Sequence, residues 1–188
     1  MWRKTMKEIK IPRFLHFLFG EKQSLKHLIT GLVFSVLLTL FTMIIGYDDL
    51  KALNIFNVIV LIIFMIDIYG GIAFNLTKET KSYYKIHPTL KKLYVIFHPH
   101  ALLIFILAGL PFLYGLYFYA FLVASFVLIK LFKNSRLQEL SSIIFIILGA
   151  VILFEVFMNL PIYLIVMAFG LSVKLLYAFL VDLEKVNV

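Results

Sequence analysis

Residues 28–46, 94–110 and 112–129 contain no Asp, Glu, Lys or Arg, and 55–75, 140–159 and 162–181 contain one charge each. A bilayer core about 30 Å thick is crossed by about 20 apolar residues in a helix. In a lipid core every backbone polar group must be satisfied within the segment, so runs of this length fold as helices. The remaining chain is too short to cover them in water. Apolar residues make up 63% of the sequence, against about 45–50% in a soluble domain. The expected fold is therefore all-α: a polytopic membrane protein of six transmembrane helices in one bundle. The spans are residues 28–46, 55–75, 94–110, 112–132, 140–159 and 162–181.

The joints carry turn chemistry. Asp48, Asp49 and Asn54 follow the first span, Pro111 ends the third, Asn134-Ser135 precedes the fifth, and Asn159-Leu160-Pro161 separates the last two. Lysine and arginine placement tests the same map. Arg3, Lys4, Lys7, Lys10, Arg13, Lys22 and Lys26 precede the first span. Lys78, Lys81, Lys85, Lys91 and Lys92 lie between the second and third, and Lys130, Lys133 and Arg136 between the fourth and fifth. The alternate connections hold only Lys51, beside two aspartates. By the positive-inside rule both termini face the cytoplasm. The expected location is a bacterial inner membrane with anionic headgroups against the basic side.

Residues 1–27 are expected as a cytoplasmic, basic interfacial segment, and 28–188 as the transmembrane domain. Ile9, Ile11, Phe14, Leu15, Leu18 and Phe19 would dip into the bilayer on one face of a helix. The run from Phe14 to Phe19 is too short for a secretory signal.

A charge near the bilayer centre costs on the order of 3 kcal/mol, so each one needs a reason. Asp67 lies roughly 18 Å into the second span, and Lys174 lies at a matching depth in the sixth, which runs the same way. Three arrangements are open: a static ion pair, a working pair in a transport or proton pathway, or unpaired groups with Lys174 snorkelling to the interface. Asp67, Gly71 and Asn75 recur at helical spacing on one face. Gly70 and Gly71 would let a backbone or a ligand come close.

The second pattern is Phe97-His98-Pro99-His100. On a regular helix the two imidazoles point apart. Pro99 suits a first helical turn, so the pair can leave helical geometry and converge on a proton or a metal. With His87 these histidines form a candidate acid–base or divalent-metal set. A helix seam and interfacial hydrogen bonds are the plainer explanations. Glu155, near the outer end of the fifth span, reads as a carboxylate reaching water or as an outer station.

No cysteine is present, which removes disulfides and thiolate sites. No phosphate loop, dinucleotide fingerprint, nucleophile elbow or H-E-x-x-H occurs. The net charge of +8 belongs to membrane orientation, and no nucleic-acid partner is expected. The leading expectation is a protein that binds or transports a small molecule or ion. Its cytoplasm-facing cavity lies between helices 2, 3 and 6 and is lined by Asp67, Gly70, Gly71, Asn75, Tyr84 and Lys174. The alternatives are a membrane-embedded enzyme using His98, His100 and Asp67 on a lipid-soluble substrate, and a structural subunit in a homo-oligomer or with a partner membrane subunit.

Overall fold

The computed structural model describes residues 8–96, 98–155 and 159–181. Phe97, residues 156–158 of the fifth expected span, and Arg3, Lys4, Lys7 and Lys185 lie outside them.

Among the described residues one small ribbon stands beside the helices. Strands β1 (Glu8–Lys10) and β2 (Lys22–Ser24) pair antiparallel, with Ile9 opposite Gln23. Between them lie a 3-10 turn (Arg13–Leu15) and the short helix α1 (His16–Phe19). The single interfacial helix expected for this segment is therefore not formed. Glu8-Ile9-Lys10 alternates with period two, and Gly20 turns the chain at φ 75°, a conformation that ends a helix. A Cβ on Gly20 would sit 2.9 Å from the Glu79 carbonyl oxygen, so the turn is packed against the next segment as well.

The long helices are α2 (Leu25–Ile45), α4 (Ile55–Asn75), α8 (Phe112–Leu131) and α9 (Ser135–Glu155), with the four-residue α3 (Tyr47–Leu50) in the first connection. Ser24 caps α2 by accepting from the His27 N–H, and Asn54 caps α4 by accepting from the Asn57 N–H. Helix α5 (Lys78–Ile86), capped by Thr77, fills the next connection. The third apolar segment is broken into α6 (Pro88–Ile96) and α7 (His100–Leu107), and begins six residues earlier than Tyr94. Pro99 causes the break, because it donates no N–H and its ring crowds the preceding turn. The last segment is α10 (Ile162–Ser172), continued as a π-helix over Val173–Ala178, where the Phe179 N–H reaches back to the Lys174 carbonyl. Among the described residues five helices, counting Pro88–Leu107 as one, are long and apolar enough to span a membrane, and Ile162–Ala178 is a shorter apolar helix.

The packing is inverted relative to a soluble protein. Helix α2 buries Gly31, Ser35, Thr39 and Thr42 and exposes Ile29, Leu32, Leu37 and Phe41. In water that distribution would be reversed. In lipid, small residues let helices approach closely and large apolar ones face the tails. The small face of α2 runs along α4. A Cβ on Gly31 would fall 2.6 Å from the Phe74 ring, and the Thr42 and Tyr69 hydroxyls bond at 2.7 Å across the seam.

Contacts define two ends of the packed helices. At one end Gln23 Nε2 donates to Thr77 Oγ1, the Tyr84 hydroxyl donates to the Phe17 carbonyl, and Lys81 Nζ donates to the Val181 carbonyl. The ribbon segment, α5 and the end of the last helix thus meet there. At the other end Asn57 Nδ2 donates to the Leu107 carbonyl, and Gly46 lies against Tyr163.

Candidate functional site

Three elements deliver four polar side chains to one point among the packed helices. Asp67 comes from the middle of α4, Lys174 from the start of the π-helix, and His98 and His100 from the break at Pro99. Lys174 Nζ donates to Asp67 Oδ2 at 2.6 Å and lies 3.0 Å from His98 Nε2. His98 Nε2 and His100 Nε2 are 3.9 and 3.8 Å from the same carboxylate oxygen. The ligand-type atoms of Asp67, His98 and His100 all fall within 4.8 Å of one another.

The break at Pro99 makes this convergence possible. The first turn of α7 starts from the Pro99 carbonyl, which accepts from the Leu102 and Leu103 N–H groups. His98 lies outside both helices, so its ring turns back beside that of His100, with centroids 4.5 Å apart. A second contact sets its tautomer. His98 Nδ1 is 3.1 Å from the Tyr94 carbonyl, an acceptor only, so Nδ1 carries the proton and donates. Nε2 is then left with a lone pair that accepts from the Lys174 ammonium. Tyr94 frames the group further, with its ring 5.7 Å from Lys174 Nζ.

Lys174 does not snorkel. Its side chain is 0% exposed, whereas those of Asp67 and His100 are 25% and 23% exposed. Two features hold the lysine inside. The carboxylate is one. The other is Gly71, where a Cβ would stand 2.2 Å from Lys174 Cε. The lysine stem occupies the groove left by the missing side chain. The open edge of the group is formed by Asp67 and His100. Buried His100 Nδ1 has no hydrogen-bond partner among the described residues, and Phe64 meets that ring edge-on at 4.5 Å.

The remaining expected residues separate from this centre. Gly70 faces the other way: a Cβ there would touch Phe74 and Ser35 at 3.7 Å, ordinary contact. It belongs to the seam with α2, because adjacent helical residues point about 100° apart. His87 ends α5, lies against Tyr83 at 4.7 Å and is not part of the converging group. Asn75 and Tyr84 line a different cavity of about 300 Å³ at the basic end. Burial, with Tyr94 and Tyr83 nearby, pushes the Tyr84 phenol well above its ordinary range, so its bond to the Phe17 carbonyl stays protonated. Glu155 is exposed at the end of α9.

Sequence reasoning overlooked Tyr94 and Phe179 as members of the site. Tyr94 had one signal, its position four residues before His98, one helical turn away. Tyr94 and Phe179 stack at 4.6 Å, between the buried centre and the basic cavity.

The fold and this centre define a helical protein with several apolar segments of membrane-spanning length, consistent with a multi-pass membrane protein. Comparison with protein-family models, curated proteins and solved structures gives no match.

Proposed function

We propose that this chain is a six-span inner-membrane protein, both termini cytoplasmic, that binds or transports a small cation or a proton-coupled small molecule through the Asp67–His98–His100–Lys174 centre. The alternating lysines support the orientation. So does the meeting of the ribbon, α5 and the end of the last helix at the basic end.

One observation carries the functional reading. A carboxylate and two imidazole Nε2 atoms converge, and the ammonium of Lys174 sits between the carboxylate and the His98 imidazole. The centre therefore has the chemistry of a cation site with a tethered cation already in it. An incoming cation or proton competes with Lys174 for Asp67, and displacement of a long side chain is a two-state event that transport can use. The partly exposed Asp67–His100 edge is where such a competitor arrives.

The test is reconstitution into vesicles with a trapped pH dye, challenged in turn with inward gradients of sodium, potassium and ammonium salts. At least one gradient is expected to move lumenal pH well above the protein-free rate. Asp67→Asn is expected to return it to background while the far-ultraviolet spectrum stays helical. Full flux in that variant, or none from the wild type with any of the three cations, refutes the reading.

The convergence of Asp67, His98 and His100 within 4.8 Å favours one second reading: an enzyme using a divalent metal at the same point, on a lipid-soluble substrate. The three residues offer the ligand number of a catalytic zinc site with one open position. Lys174 would have to withdraw for the metal to enter. Elemental analysis of purified protein is then expected to find about one equivalent of metal, lost in His98→Ala and bound more tightly in Lys174→Met. Metal content that ignores both substitutions removes this reading.

A further inference from the structure

The buried centre shows which cation it suits, because one already occupies it. Lys174 Nζ donates to Asp67 Oδ2 at 2.6 Å and to His98 Nε2 at 3.0 Å. It stands over the Tyr94 ring, 5.7 Å from the centroid, within cation–π reach. Each contact contributes something different. The carboxylate supplies the charge. The imidazole supplies a lone pair, held in place because Nδ1 donates to the Tyr94 carbonyl. The ring adds a face that attracts positive charge.

These partners fit a primary ammonium group and suit other cations poorly. An alkali ion exchanges its water shell for several oxygen atoms, as in filters built from backbone carbonyls. Of Asp67, His98 and His100, only Asp67 offers oxygen. A quaternary ammonium has no N–H to give to the carboxylate or the imidazole. A divalent ion taking the place of Lys174 would raise the charge of the centre by one. A primary ammonium replaces the lysine charge for charge and contact for contact. The two states are then close in free energy, which lets one displace the other.

The lysine stem adds the shape. It lies in the groove at Gly71, where a Cβ would stand 2.2 Å from Cε and 2.8 Å from Cδ. The groove is therefore an unbranched alkyl slot that ends at the ammonium position, and it is vacated when the lysine withdraws. An incoming head group meets the Asp67–His100 edge, where the side chains are 25% and 23% exposed. Lys174 itself is carried by the π-helix, a geometry frequent at functional sites.

We infer that the substrate of this centre is a primary ammonium, either the ammonium ion or a short unbranched alkylammonium. Asp67 and His98 accept its N–H groups, and Tyr94 covers it. The inference rests on the reading that a cation enters by displacing Lys174, and narrows it to one class of cation.

The test uses the full chain in vesicles with radiolabelled methylammonium as the probe. Saturable uptake above the protein-free rate is expected, and it is lost in Asp67→Asn. Ammonium and n-butylammonium are expected to inhibit it at about tenfold lower concentration than sodium, potassium or tetramethylammonium, the worth of one hydrogen bond to a charged group. Stronger inhibition by n-butylammonium than by ammonium identifies an alkylammonium substrate, and the reverse order identifies the ammonium ion. Tyr94→Leu is expected to weaken the affinity for methylammonium about fivefold, and Tyr94→Phe, which keeps the ring, to leave it unchanged. The competition series needs only the wild-type chain, so it decides the matter if a variant fails to fold. If sodium or potassium inhibits as well as ammonium, or moves lumenal pH while methylammonium is not taken up, the cation reading stands and this inference falls. If no cation moves pH and no methylammonium enters, both fall. Unchanged affinity in a folded Tyr94→Leu also overturns the assignment.

Discussion

Lys174→Met is expected to lower the stability of the detergent-solubilised protein by about 3–5 kcal/mol, and adding Asp67→Asn is expected to recover most of that loss. The reasoning rests on asymmetry. Removing one member of a buried ion pair leaves the other without its partner, which costs about 3–5 kcal/mol, whereas replacing both by neutral groups of similar size is often close to neutral. Lys174 is wholly buried and the Asp67 side chain 25% exposed, so solvent at the open edge replaces only part of what the orphaned carboxylate loses. His98 is affected too, because Nε2 loses its donor at 3.0 Å. Thermal unfolding by circular dichroism of the two single variants and the double variant closes the cycle. The outcome also separates structure from function. A double variant that is stable but inert in the vesicle assay marks the pair as working chemistry. One that is stable and fully active makes it a staple between α4 and the last helix.

How much of this centre the sequence discloses depends on the kind of information each residue needs. The matched depth of Asp67 and Lys174 follows from rise per residue and the direction of each span, both set by hydropathy and charge. Whether Lys174 pairs or snorkels does not follow, because a long stem permits either until the groove at Gly71 is seen. His98 and His100 show the same boundary. Pro99 announces a break, yet which way the rings turn depends on the Tyr94 carbonyl and on α4, distant in sequence. The π-helix over Val173–Ala178 leaves no compositional mark, since it is a change of hydrogen-bond partner. The ribbon at Glu8–Lys10 does leave one, a period-two alternation, but the adjacent apolar run from Phe14 outweighs it.

The adjacent glycines give the sharpest local contrast. Gly71→Ala is expected to cost about 1–3 kcal/mol, the usual range for forcing atoms into a filled interior, while Gly70→Ala is expected to be neutral or stabilising by up to about 1 kcal/mol through helix propensity. The new methyl at residue 71 would lie 2.2, 2.8 and 2.9 Å from Lys174 Cε, Cδ and Nζ. Those atoms end a flexible chain, and in an open site they would step aside at little cost. Here the ammonium is tied to Asp67 at 2.6 Å, so stepping aside breaks the pair. At residue 70 the nearest atoms stand at 3.7 Å, and a methyl completes contacts already present. The assignment is checked in a Lys174→Ala background, where the stem is gone. There Gly71→Ala fills empty space and is expected to cause no loss, or a small gain, in unfolding temperature. If Gly71→Ala costs the same with and without the lysine, the glycine serves the backbone of α4 and does not hold the groove for Lys174.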